Sequence, residues 1–194
     1  AMRYRERIPE KSFLWSVVRE PVSRLVAKYY HFGLADKRRG SALTTTTAKF
    51  KSFLINNLGQ DYGYYFKSLN INRRMDPGDK KHQADTRELL ESYDFLGVSE
   101  RMDETLAVLK IILNFQIQDV LYLPIPKATT TASENADYYD IWGKAGCHAV
   151  LKPDIPLELK EWFHSEDFEA LVEADVMFYK AVNASLDKTI DELG

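Results

Sequence analysis

Arg19 is the residue whose type and position most directly suggest chemistry. It stands in FLWSVVREPVSRLVAKYYHFG, residues 13–33. The apolar run from Phe13 to Val18 stops at Arg19, Pro21 follows, and a helical pattern begins. A strand that feeds a helix N-terminus builds an anion site, because the first N–H groups and the helix dipole both face the incoming chain. An arginine there adds a planar fork that grips phosphate bidentately. Ligands of open α/β sheets sit at the carboxyl ends of the strands, where Arg19 falls. The indicated chemistry is phosphate recognition. The structural alternative is an arginine ion-paired with Glu20, Glu100 or another acid at the sheet edge.

The elements that must position Arg19 follow from periodicity. Residues 13–18 read as a short buried strand. Val22, Leu25, Val26, Tyr29 and Tyr30 share one helical face, with Pro21 in the first turn and Gly33 as a stop. Residues 34–47 read as a surface loop. Phe50, Phe53, Leu54 and Leu58 suggest a second helix, and Tyr62, Tyr64, Tyr65 and Phe66 a core or helix-face aromatic cluster. Residues 70–83 are charged and carry the turn signal Asp76-Pro77-Gly78-Asp79. Tyr93–Val98 reads as a second strand, followed by a helix with Met102, Leu106, Leu109 and Leu113 on one face. Asp119–Leu123 reads as a third strand or short extension and residues 124–148 as a long polar loop. Leu157–Phe163 suggests a short helix. Phe168, Leu171, Val172, Tyr179, Val182, Leu186 and Ile190 form the stripe of a closing helix. Strands alternating with helices predict an α/β fold with a parallel sheet and a helix-rich C-terminal half.

The bulk composition narrows the function. The 194 residues fit one domain, or one domain with a small appendage, and 45% apolar with 28% charged residues argues against a disordered chain. A formal net charge of −3 gives no overall basic field, which speaks against nucleic acid and makes any anion site local. No apolar run is long enough to span a bilayer. Cys147 is the only cysteine and reads as a buried thiol. His31, His82, His148 and His164 share no spacing that suggests a metal site.

SFLWSVVREPVSRLVAKYYHF resembles the 3′-phosphate-binding segment of the sulfotransferases that use 3′-phosphoadenosine 5′-phosphosulfate (PAPS), especially the Golgi-type carbohydrate family. YDFLGVSERMDETLAVLKIIL resembles the same family's Phe-Val-Gly-x-x-Glu strand and following helix. ADVMFYKAVNASLDKTIDELG resembles its closing helix. The three segments stand in the family's order. The resemblance implies a P-loop-kinase-like three-layer fold with a central parallel sheet. It also implies transfer of a sulfuryl group from PAPS to an acceptor hydroxyl, on a carbohydrate in the family's pattern, with no metal. A Golgi-lumenal location follows if the protein is eukaryotic and anchored upstream, and a cytoplasmic one otherwise. A sulfotransferase-like binding or scaffold protein without catalysis is the alternative.

Carried over by residue, the resemblance makes Arg19 the ligand of the nucleotide's 3′-phosphate and gives Arg24 a mainly structural role. Glu20 stands where the family has Asp. Ala27 stands where it has a serine that also bonds the phosphate, and Ser23, one turn earlier on the same stripe, is a partial substitute. The family's 5′-phosphosulfate loop, with Lys, Gly and Thr/Ser, precedes this segment, as does its usual general base. Residues 1–12 contain no such loop, so that part either lies outside this sequence or has been lost, and the catalytic residues are unassigned. DVLYLPIPKATTTAS, 119–133, imitates the loop without its glycines, which makes Lys127 a candidate nucleotide contact, with a solvated lysine beside a Thr run as the favoured alternative. Glu100 and Asp103 read as helix capping rather than an acid/base pair. Arg73-Arg74 and Lys80-Lys81 form a small basic patch suited to steering an anionic acceptor or simply to solvation.

Overall fold

Two short parallel strands lie against one long helix. Strand β1, Trp15–Val18, runs parallel to β2, Phe95–Val98, pairing Trp15 with Phe95, Ser16 with Leu96, Val17 with Gly97 and Val18 with Val98. The computed structural model describes residues 8, 10, 12–29, 48–53, 63–69, 82–121, 136–140, 148–151 and 155–193. Within these, the fold is α/β and mostly helical, with β1 and β2 as its parallel sheet.

All four β2 residues are buried, as expected of a parallel strand covered on both faces. Gly97 is required there: a Cβ on it would lie 2.2 Å from Cγ2 of Thr105. That close approach lets the buried Thr105 hydroxyl accept from Val98 N–H at 3.0 Å and donate to Val98 C=O at 3.2 Å. Strand β2 is thereby tied to the helix that follows it.

Helix α1, Pro21–Lys28, starts directly after β1, with Pro21 at its first position and Leu25 and Val26 buried. Its expected stop at Gly33 and the loop 34–47 lie outside the described residues. Residues 48–53 are helical and bury Phe50, while Leu54 and Leu58 also lie outside them. Helix α2, Tyr64–Ser68, buries Tyr65 and Phe66. Helix α3, His82–Ser92, leads to β2. A single 3-10 turn, Ser99–Arg101, opens into α4, Met102–Leu113, with Leu109 buried and Leu106 and Leu113 packed on the core.

Two expectations are corrected. Residues 119–121 do not open a third strand: Ile117–Val120 is a short helix, α5, and residues 122 and 123 lie outside the described residues. Asp119 Oδ2 accepts from the N–H of Gln116 at 2.9 Å, which closes the turn. The segment 124–148 is not entirely loop either. Its residues 136–140 form β3, Ala136–Asp140, which pairs antiparallel with β4, His148–Leu151.

Helix α6, Leu157–Trp162, precedes α7, Glu166–Leu193. With 28 residues α7 is about 42 Å long. Phe168, Val172, Val182 and Leu186 of the expected stripe are buried, while Leu171, Tyr179 and Ile190 are part-buried and Phe178, outside that stripe, is fully buried. Phe168 and Val172 join a cluster with Leu25, Val26, Tyr29, Phe50 and Leu159. Phe178, Val182 and Leu186 join a second cluster with Val18, Phe66, Leu96 and Val98. One helix thus fixes both α1 and the β1–β2 pair, the two elements that meet at Arg19. Among the described residues no helix is long and apolar enough to cross a membrane.

Candidate functional site

The site forms where β1 hands the chain to α1. Arg19 lies just past the carboxyl end of β1, and half of its side chain is exposed. Its Nε is 4.0 Å from Oε1 of Glu100, a loose surface pair of the kind that contributes about 0–1 kcal/mol. The ion pair foreseen as the structural alternative is therefore formed, with Glu100 rather than Glu20 as partner. It is weak enough to leave the guanidinium available.

Glu20 caps α1. Its Oε1 accepts from Val22 N–H at 2.9 Å and its Oε2 from Ser23 N–H at 2.6 Å. A carboxylate is favoured at a helix N-terminus by the unpaired N–H groups and the dipole. The amides expected to receive a phosphate therefore already hold an anion from the chain itself. Any other anion would have to displace Glu20 to reach those amides.

Glu100 is not a helix cap. Its Oε1 accepts from Glu20 N–H at 3.1 Å and its Oε2 from the Tyr179 hydroxyl at 3.2 Å. It joins the end of β1, the 3-10 turn after β2 and α7. Burial, together with the Glu100 carboxylate it faces, pushes the Tyr179 hydroxyl pKa up. Beside it, Arg101 is bonded to Glu104 and, at 2.6 Å, to Asp187, which fastens the start of α4 to α7.

Arg24 occupies the structural position expected of it. Its Nη2 is 3.3 Å from Oδ2 of Asp175, and its guanidinium carbon lies 4.0 Å from the centre of the Tyr64 ring. Asp175 is almost completely buried, and its Oδ1 accepts from Tyr65 N–H at 3.0 Å. The Tyr65 hydroxyl in turn accepts from Arg19 N–H at 2.9 Å and donates to Arg19 C=O. Sequence reasoning placed Tyr65 only in an aromatic cluster; nothing local marks its grip on a residue in another element.

Ser23 and Ala27 both lie on α1 and are part-buried, Ser23 with its amide held by Glu20. Lys127 lies outside the described residues, as do Cys147, His31 and the basic patch. His82 is buried in α3. Among the described residues no group of three or more His, Cys, Asp or Glu side chains is arranged to hold a metal. A cleft of about 270 Å³ runs beside β1, between Trp15, Ser16 and Val17 on one side and Tyr64, Tyr65 and Tyr93 on the other. Family models, characterised proteins and solved structures were compared with this chain, and none matches.

Proposed function

We propose that this chain is a PAPS-dependent sulfotransferase domain on a P-loop-kinase-like three-layer fold, with Arg19 gripping the nucleotide's 3′-phosphate. The observation that carries the reading is the half-exposed Arg19 guanidinium at the carboxyl end of β1, directly before α1. The parallel pairing of β1 with β2 supports the α/β part of it. The choice of nucleotide rests on the likeness of the segments at 12–32, 93–113 and 174–194 to that family.

The reaction breaks the S–O bond between the sulfuryl group and the 5′-phosphate of PAPS and forms an S–O bond to an acceptor hydroxyl, on a carbohydrate in this reading. The hydroxyl proton passes to a general base, and adenosine 3′,5′-bisphosphate leaves. As in phosphoryl transfer, the protein contributes positioning and charge stabilisation. Arg19 anchors the nucleotide at the end remote from the reacting sulfur. No described residue is assigned as the base.

Two observations favour a second reading, a binding or scaffold protein without catalysis. The Glu20 carboxylate holds the Val22 and Ser23 amides, and Ala27 brings no hydroxyl. Thermal unfolding with each nucleotide tests binding, because a ligand held at 100 times its Kd stabilises by about 2.7 kcal/mol. Adenosine 3′,5′-bisphosphate raises Tm by several degrees in our reading and ATP does not; no rise with either overturns it. Sulfuryl transfer from PAPS then separates the enzyme from the scaffold.

A further inference from the structure

The geometry points to Tyr65 as the positioning residue of the Arg19 site: its hydroxyl fixes the Arg19 peptide groups and so sets where the guanidinium stands. The inference rests on the reading of Arg19 as the 3′-phosphate ligand and extends it to a residue that touches no ligand.

Arg19 follows the last residue of β1, so its N–H and C=O lie past the paired register that ends at Val18 and Val98. One hydroxyl serves both, accepting from the N–H at 2.9 Å and donating to the C=O. A phenol is suited to this, because a single O–H both donates and accepts. The ring that carries it has little freedom. It is 4% exposed, lies 5.7 Å from the Phe178 ring and 5.5 Å from the Tyr64 ring, and sits beneath the Arg24 guanidinium. Its own N–H is held by the buried Asp175 of α7.

A chain of contacts thus runs from the Arg24–Asp175 pair through Tyr65 to the Arg19 backbone. Among the contacts described, the half-exposed Arg19 side chain meets only Glu100, at 4.0 Å. The position of the fork is therefore governed by where its backbone is held.

Tyr65→Phe in the full chain removes the hydroxyl and keeps the ring. Two measurements on it decide the matter. Amide hydrogen exchange reads the contact: the Arg19 N–H exchanges at least about tenfold faster in the variant, while the Phe95–Val98 amides keep their rates. Calorimetric titration with adenosine 3′,5′-bisphosphate and with adenosine 5′-monophosphate reads the consequence. The preference for the 3′-phosphorylated ligand falls about fivefold, the size of one hydrogen bond's net worth, while affinity for the monophosphate is kept. In an Arg19→Ala background the Tyr65→Phe change has no further effect on that preference. A merely structural tyrosine weakens both ligands equally or neither, and either result overturns the inference. Unchanged Arg19 exchange overturns it as well. A wild-type chain that does not prefer the 3′-phosphate overturns the reading of Arg19 and the inference with it, and the exchange data then show whether the grip itself was real.

Discussion

Oδ2 of Asp175 lies 3.3 Å from Nη2 of Arg24, and both side chains are withdrawn from water, Asp175 to 1% and Arg24 to 12% exposure. A carboxylate that deep is costly without a partner. Removing either member of such a pair costs about 3–5 kcal/mol, because the other is left as an uncompensated charge. Arg24→Ala and Asp175→Ala each lower stability by that order in urea unfolding. The double variant costs clearly less than the sum of the two, and strict additivity would contradict the pair.

Gly97 and Thr105 are matched in the same way by space. A methyl group on Gly97 meets Cγ2 of Thr105 at 2.2 Å, so Gly97→Ala forces β2 and α4 apart. Overpacking of this kind costs about 1–3 kcal/mol. The penalty of Gly97→Ala shrinks in a Thr105→Ala background, where the colliding methyl is gone. Denaturant midpoints of the four proteins check it.

Tyr65 carries a pH signature. Burial pushes its hydroxyl from 10.0 up to about 12, and Asp175 and Glu100 add to the rise, while the Arg19 backbone bond and the Arg24 charge oppose it. The unfolded chain releases this proton near pH 10 and the folded chain only near pH 12. Stability from this group is fully present below pH 10 and falls by about 1.4 kcal/mol per pH unit between the two values. Alkaline unfolding curves of wild type and Tyr65→Phe differ in slope across that window, the variant lacking this component. Parallel curves would contradict the assignment.

Glu20 sets two properties against each other. As the N-cap of α1 it stabilises the helix, and Glu20→Ala costs about 1 kcal/mol of stability. The same carboxylate occupies the Val22 and Ser23 amides, which on the proposed function a phosphate would contest. Glu20→Ala is therefore less stable yet binds adenosine 3′,5′-bisphosphate more tightly, by a few fold. Thermal unfolding and calorimetry on the same samples check both halves, and weaker nucleotide binding would contradict the competition.

The legible parts of the molecule are those written locally. Val17 and Val18 before Arg19, the stripe of Leu25 and Val26 behind Pro21, the buried Phe95–Val98 run and the Phe168–Leu186 stripe all carry their period in the sequence, and each forms the expected element. The apolar residues of 119–123 misled because Val120 and Leu121 invite a strand. The Asp119 bond back to the Gln116 amide instead closes a helical turn, and Leu121 is left 70% exposed. The site's geometry was least legible, because its contacts join residues far apart: Tyr65 with Arg19 across 46 positions and Glu100 with Glu20 across 80. A helical period or a capping motif encodes neighbours, and these contacts are set only when α7 packs β1, β2, α1 and α2 together. The role of Arg24 was the exception, read from likeness to a family and matched by its buried pair with Asp175.

The central claim is that Arg19 recognises a nucleotide by its 3′-phosphate. Calorimetric titration of the wild-type chain and of Arg19→Ala with adenosine 3′,5′-bisphosphate and with adenosine 5′-monophosphate tests it most directly. The expected result is a clear preference of the wild type for the bisphosphate, lost in Arg19→Ala with the protein still folded. Equal binding of the two ligands by the wild type, or a preference that survives Arg19→Ala, would contradict it.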